Sequence, residues 1–181
     1  MQRLAAVFAA TVLLIAAASV RAAPAPSAPL AVIWASHAII VDLDSLPKSY
    51  TCDELWYRFR AVLLAIGARG DLRVMPYDCA GRSPRVELQF SLPQRASAGQ
   101  ASAALPALPE TITLSPGRPA PLDTTDCELL QRINDELFSQ LPVHVARTHW
   151  ACASPHHTAK PAYRLAVQTL VPQPSKSAAG S

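Results

Sequence analysis

Four cysteines, a group of histidines and two closely spaced aspartates are the side chains of this 181-residue sequence whose types and spacing bear on chemistry. Cys52, Cys79, Cys127 and Cys152 form an even set, which in an oxidising compartment reads as two disulfides with three possible pairings. A cysteine at a helix N-terminus has a lowered pKa, which admits a redox role for Cys52 or Cys127. No C-x-x-C spacing accompanies them, so structural bridges are the preferred reading.

Four of the five histidines fall within 144–157. His144, His149, His156 and His157, with Cys152 among them, invite a copper or zinc site. His144 and His149 are five apart on an expected strand, which places them on opposite faces. His156 and His157 stand in a Ser/Pro/Lys loop, and solvated loop histidines are the plainer explanation.

Asp42 and Asp44 alternate at a strand end, where paired carboxylates serve acid–base chemistry or turn formation. Ser45-Leu46-Pro47-Lys48 matches S-x-x-K, but Pro47 prevents Ser and Lys from sharing a helical turn, and S-D-N and K-T-G are absent. The chain has no G-x-S-x-G, P-loop or dinucleotide fingerprint. No catalytic residue is therefore assigned.

The elements that must position these side chains follow from composition and periodicity. Half of the residues are apolar and 16% are charged, with 17 Pro and 6 Gly. Residues 1–22 read as a secretory signal peptide: Arg3 opens it, 4–18 is apolar, and Val20-Arg21-Ala22 suits cleavage before Ala23. The apolar run is short for a membrane span, and no later stretch replaces it. Loss of Arg3 and Arg21 takes the formal charge from +3 to +1. A near-neutral chain offers no broad footprint for nucleic acid. The expected location is the periplasm or the exterior.

Sliding the sequence along itself exposes an internal repeat. At an offset of 75, Cys52, Leu55, Val62, Leu63 and Ile66 fall on Cys127, Leu130, Leu137, Phe138 and Leu141. At an offset of 79, Arg85, Val86, Leu88 and Gln89 fall on Arg164, Leu165, Val167 and Gln168. The expected organisation is a Pro/Ala-rich tether at 23–34, a βαββ unit at 35–93, a low-complexity linker at 94–109, a second βαββ unit at 110–172 and a disordered tail at 173–181.

In the first unit, 38–43 reads as a strand. Thr51 and Glu54 form a capping box, Leu55, Phe59, Val62, Leu63 and Ile66 line one helical stripe, and Gly67 ends the helix. Strands follow at 72–78 and 85–92. In the second unit, 112–114 reads as a strand and Thr125 and Glu128 as a capping box. Leu130, Ile133, Leu137, Phe138 and Leu141 make the stripe, Pro142 the stop, and 143–151 and 163–171 the closing strands.

The fold class is thus α+β: two tandem βαββ repeats forming an antiparallel or mixed sheet with both helices on one face. A strand–helix–strand crossover returns each second strand to the start of its helix. That geometry pairs Cys52 with Cys79 and Cys127 with Cys152.

Trp56 and Tyr57 flank the first helix's apolar stripe, and Arg58 and Arg60 are expected on its other faces; Trp34 and Trp150 fall in or beside strands. Exposed Trp, Tyr and Arg mark interfaces, so Trp56, Tyr57 and Arg60 form the candidate interaction surface, with Trp56 the ring expected to be exposed. The leading reading is an exported, non-catalytic protein that binds a protein or small-molecule ligand in the cell envelope. The alternatives are copper or zinc binding through 144–157, and a hydrolase-type enzyme using Asp42 and Asp44.

Overall fold

Alternating apolar residues and helical stripes resolve into six strands and two helical segments in a computed structural model that describes residues 28–79, 81, 83–152 and 162–173. The leader, residues 23–27 of the tether, His156, His157 and residues 174–181 of the tail lie outside the described residues. The elements run β1 (Leu30–Asp42), α1 (Cys52–Ala65), β2 (Arg73–Tyr77), β3 (Arg85–Arg95), β4 (Leu105–Leu114), α2 (Cys127–Arg132), β5 (His144–Ala151) and β6 (Ala162–Pro172).

The strands make one sheet in the order β2-β3-β1-β4-β6-β5, and every described pairing is antiparallel. The fold is α+β, with an antiparallel rather than a mixed sheet. Since β1 and β2 both run antiparallel to the β3 between them, they are parallel to each other; β6 separates β4 and β5 in the same way. Each half thus runs strand, helix, strand, strand, with its last strand in the middle of three.

The halves meet through few ladder positions. Only Leu30, Ala31 and Val32 of β1 pair with Ala107, Pro106 and Leu105 of β4. The segment expected as a linker, 94–109, is instead largely structured: its start completes β3 and its end opens β4, with a 3-10 turn at Ala98–Ala103 between. β1 likewise begins inside the expected tether. Pro and Ala do not forbid a strand where pairing partners are available and ladder hydrogen bonds are few. Along β4, Pro109 lies beyond the stretch paired to β1, so that edge asks less of its missing N–H.

Both helices contribute to one buried cluster. Ile39 and Val41 of β1, Val86, Leu88, Phe90 and Leu92 of β3, Leu114 of β4 and Tyr163, Leu165 and Val167 of β6 supply the sheet side. Leu55, Phe59, Val62, Leu63 and Ile66 meet them from the first helix, and Leu129, Leu130, Ile133, Leu137 and Phe138 from the second. Burying a side chain of this size contributes roughly 1.5–3 kcal/mol relative to exposure.

Local signals set the helix ends. Thr51 and Glu54 make both hydrogen bonds of the expected capping box, and Gly67 takes φ +96° just past the C-terminus of α1. The second helical segment departs from expectation. Its box is made by Asp123 and Asp126, not Thr125 and Glu128, because the first turn starts earlier as a 3-10 turn over Thr124–Asp126. After α2 the backbone passes through a π turn at Ile133–Leu137 and a 3-10 turn at Phe138–Gln140, ending before Pro142.

Candidate binding groove

Cysteine pairing follows from the crossover geometry. Cys52 opens α1 and Cys79 follows the end of β2, and they are bonded with Cα atoms 5.4 Å apart; Cys127 and Cys152 are bonded likewise at 5.3 Å. Fourteen helical residues rise about 21 Å. That is close to the return distance of β2 and its flanking residues, so the strand ends beside the first turn of the helix.

The inward stripe of α1 leaves a second face outside. Trp56, Arg60 and Leu64 succeed one another at four-residue spacing, with Tyr57, Ala61 and Ala65 alongside. Together with Pro119, Ala120 and Pro121 they line a groove of about 540 Å³. The Trp56 and Tyr57 rings meet edge to face at 4.8 Å, and the Arg60 guanidinium sits 5.5 Å from the Trp56 ring. Tyr57 is 58% exposed and Leu64 40%. Trp56, expected to be the exposed ring, is half-buried with one side against the core, so Tyr57 is the more accessible aromatic.

The opposite wall is a built loop. Ser115 and Arg118 exchange backbone hydrogen bonds of 2.8 Å, Gly117 N–H donates to Leu122 carbonyl, and the buried Leu122 anchors the loop to the core. Leu64 and the 119–121 wall carried no signal in sequence, because a groove between a helix and a segment over fifty residues away has no local pattern.

Beside this face lies a buried polar cluster that joins the halves. Arg58, expected on an outer face of its helix, is 7% exposed. Its Nε donates to Asp126 Oδ1 at 2.6 Å, and its Nη2 reaches Asp123 Oδ2 at 3.4 Å. The Tyr50 hydroxyl donates to Asp126 Oδ1 at 3.2 Å, and Lys48 Nζ donates to Thr125 Oγ1 at 2.8 Å. Burial opposes the charge on Arg58, but the hydrogen bond and Coulomb attraction of Asp126 outweigh it and raise its pKa. Burial, together with Asp126, pushes the Tyr50 hydroxyl well above its ordinary value. Burial also raises Tyr163, whose hydroxyl has no hydrogen-bond partner among the described residues. The legible trace of this cluster was a D-x-x-D spacing and an arginine on the edge of a buried stripe.

The remaining candidates are placed apart. Asp42 pairs with Arg85 at 2.7 Å, both about half exposed. Asp44 lies in the following loop and lines a cleft of about 520 Å³ that Asp42 does not reach. Ser45, at φ +62°, and Lys48 line that same cleft, but Lys48 is engaged with Asp126 and Thr125.

His144 and His149 do not fall on opposite faces as alternation predicts. A β-bulge between Val145 and Arg147 inserts a residue, so that His144 faces Gln168 and His149 faces Arg164. Gln168 and Arg164 are four apart on β6 and share its solvent face, and the histidines therefore share it too. Four strand positions put them about 13 Å apart, too far for one ion. Among the described residues no cluster of three His, Cys, Asp or Glu side chains is arranged to hold a metal.

Comparison with protein-family models, with characterised proteins and with solved structures finds no match.

Proposed function

We propose that this chain is an exported, non-catalytic binding protein that takes a protein partner, or a small ligand of the cell envelope, across the groove of Trp56, Tyr57, Arg60 and Leu64. The observation that carries the reading is the groove itself. Two aromatic rings, an aliphatic side chain and a guanidinium converge on an accessible face, a composition enriched where partners dock. Two disulfides, and the lack among the described residues of any helix long and apolar enough to cross a membrane, are consistent with an extracellular or periplasmic protein.

We also infer that the two βαββ halves are repeats of one unit. The matched cysteine spacing and the shared relative order of strands support this origin. The unit supplies rigidity, and the α1 face, which has no aromatic counterpart in the CELLQR sequence of α2, supplies specificity.

Affinity capture from an envelope extract tests the reading, with wild-type protein compared against Y57A/L64S and R60E. The expected outcome is a partner, retained by wild type, that both variants lose while their melting temperatures stay unchanged. If both variants retain every component that wild type captures, the groove is not the docking face.

A further inference from the structure

The two disulfides occupy different surroundings. Cys127 is fully buried among the residues of the core, while its partner Cys152 is half-buried against it. Cys52 and Cys79 are both only half-buried, and both line a cleft of about 920 Å³. Besides Asp78 and the buried Tyr50, its described lining consists of small side chains, Ser49, Thr51, Gly81 and Ser83, beside the two cysteines. Cys79 occupies the second position of a tight turn closed by Gly81 N–H donating to Asp78 carbonyl at 2.8 Å. Cys52 is the first residue of α1, beyond its N-cap Thr51.

We propose that Cys52–Cys79 is an exchange site for an external protein dithiol, whereas Cys127–Cys152 is a fixed structural bridge. A thiolate of the dithiol attacks Cys79 Sγ. As the new sulfur–sulfur bond forms, the bond between Cys52 and Cys79 breaks, and its electron pair leaves on Cys52 Sγ, which then takes up a proton. The second thiol of the dithiol resolves the mixed disulfide, releases Cys79 and leaves the dithiol oxidised. Two electrons have passed to this chain. The direction follows from the leaving group. A thiolate in the first turn of a helix is stabilised by unpaired backbone N–H groups and the helix dipole, and a stabilised thiolate leaves faster. Cys79, on a turn at the surface, is the sulfur a second protein can approach.

The native protein, with both bridges formed, is sufficient for the test. Limiting dithiothreitol, quenched with an alkylating reagent and mapped by mass spectrometry, should label Cys52 and Cys79 at least about tenfold faster than Cys127 and Cys152, because attack on the half-buried Cys152 must expel the thiolate of the fully buried Cys127, a poor leaving group in apolar surroundings. In guanidinium the two rates should converge. A C-x-x-C dithiol protein whose resolving cysteine is replaced by alanine should be trapped on Cys79. Equal rates in the native state, earlier reduction of Cys127–Cys152, or capture through Cys52 would each overturn the proposal.

Discussion

Arg58 and Asp126 are joined by a 2.6 Å hydrogen-bonded ion pair that spans the two halves of the chain, from the middle of α1 to the start of the second helical segment. Asp126 is fully buried, and its two oxygens divide their work. Oδ1 accepts from Arg58 and Tyr50, and Oδ2 accepts from the Asp123 backbone N–H to complete the cap. One carboxylate thus terminates a helix and clamps the halves together.

Asp126→Ala removes the closest acceptor of the buried Arg58, leaving it the longer contacts to Asp123 and Glu54, and one of the two acceptors of the Tyr50 hydroxyl, and the expected loss is about 3 kcal/mol. Arg58→Met should cost less, because Lys48 and Tyr50 still face Asp126. Urea unfolding of the two single variants and the double variant checks this. Since the pair interacts directly, the coupling should exceed about 1 kcal/mol, whereas additive losses would deny the clamp.

A second seam between the halves lies at the end of α1. Thr169 Oγ1 on β6 donates to Ile66 carbonyl at 2.7 Å in a buried setting. Thr169→Val removes that donor and should lower stability by about 1 kcal/mol. Gly67→Ala should cost about 1–2 kcal/mol for conformational reasons. The φ of +96° disfavours a side chain, while the space a Cβ would enter, 3.6 Å from Leu170 carbonyl oxygen, is ordinary contact. Thermal unfolding reads both.

The two bridges should differ in stability as well as in exchange. Cys52→Ala/Cys79→Ala and Cys127→Ala/Cys152→Ala open loops of similar size, with separations of 27 and 25 residues. The chain-entropy model gives each about 3 kcal/mol. Loss of the second pair should cost about 1 kcal/mol more, because Cys127 is fully buried and its removal thins a packed core. Denaturant midpoints of the two variants would show that order; the reverse order contradicts it.

Stability should also fall on mild acidification. Burial holds His37, stacked on Phe90 at 5.4 Å, below the ordinary imidazole value of 6.5. The unfolded chain therefore binds the proton more readily than the folded one. The contribution is complete above 6.5 and is lost as pH drops through the lowered folded value. Glu54, held down chiefly by the Thr51 backbone N–H, acts lower on the scale. So does Asp123, where bonds from Thr125 outweigh burial. Both lose their contribution below the ordinary carboxylate range. His37→Phe should flatten the melting temperature between pH 7 and about pH 5 while leaving the steeper acid limb intact. An unchanged slope in that variant would exclude His37 as its source.

The sequence by itself determined the features that depend on near neighbours or on spacing alone. The capping box of Thr51 and Glu54 needs four consecutive residues. The stripe from Leu55 to Ile66 needs a 3.6-residue period, and cysteine separations of 27 and 25 suit a helix and its returning strand. Tertiary structure alone decided which side of α1 is truly outside. Arg58 turned inward because a carboxylate 68 positions away compensates its burial, and Tyr57, not Trp56, became the open ring of the groove. It also decided the face of His149, since one bulged residue in β5 reverses every later side chain and alternation cannot foresee it. The two ends of the Pro/Ala-rich stretch that composition marks as a linker became strand because β1 and β6 offered them backbone partners, with a 3-10 turn between. Local chemistry has its cause within a few residues and is therefore written in order along the chain. Burial, pairing and grooves arise where distant segments meet, and no short window of sequence contains both sides.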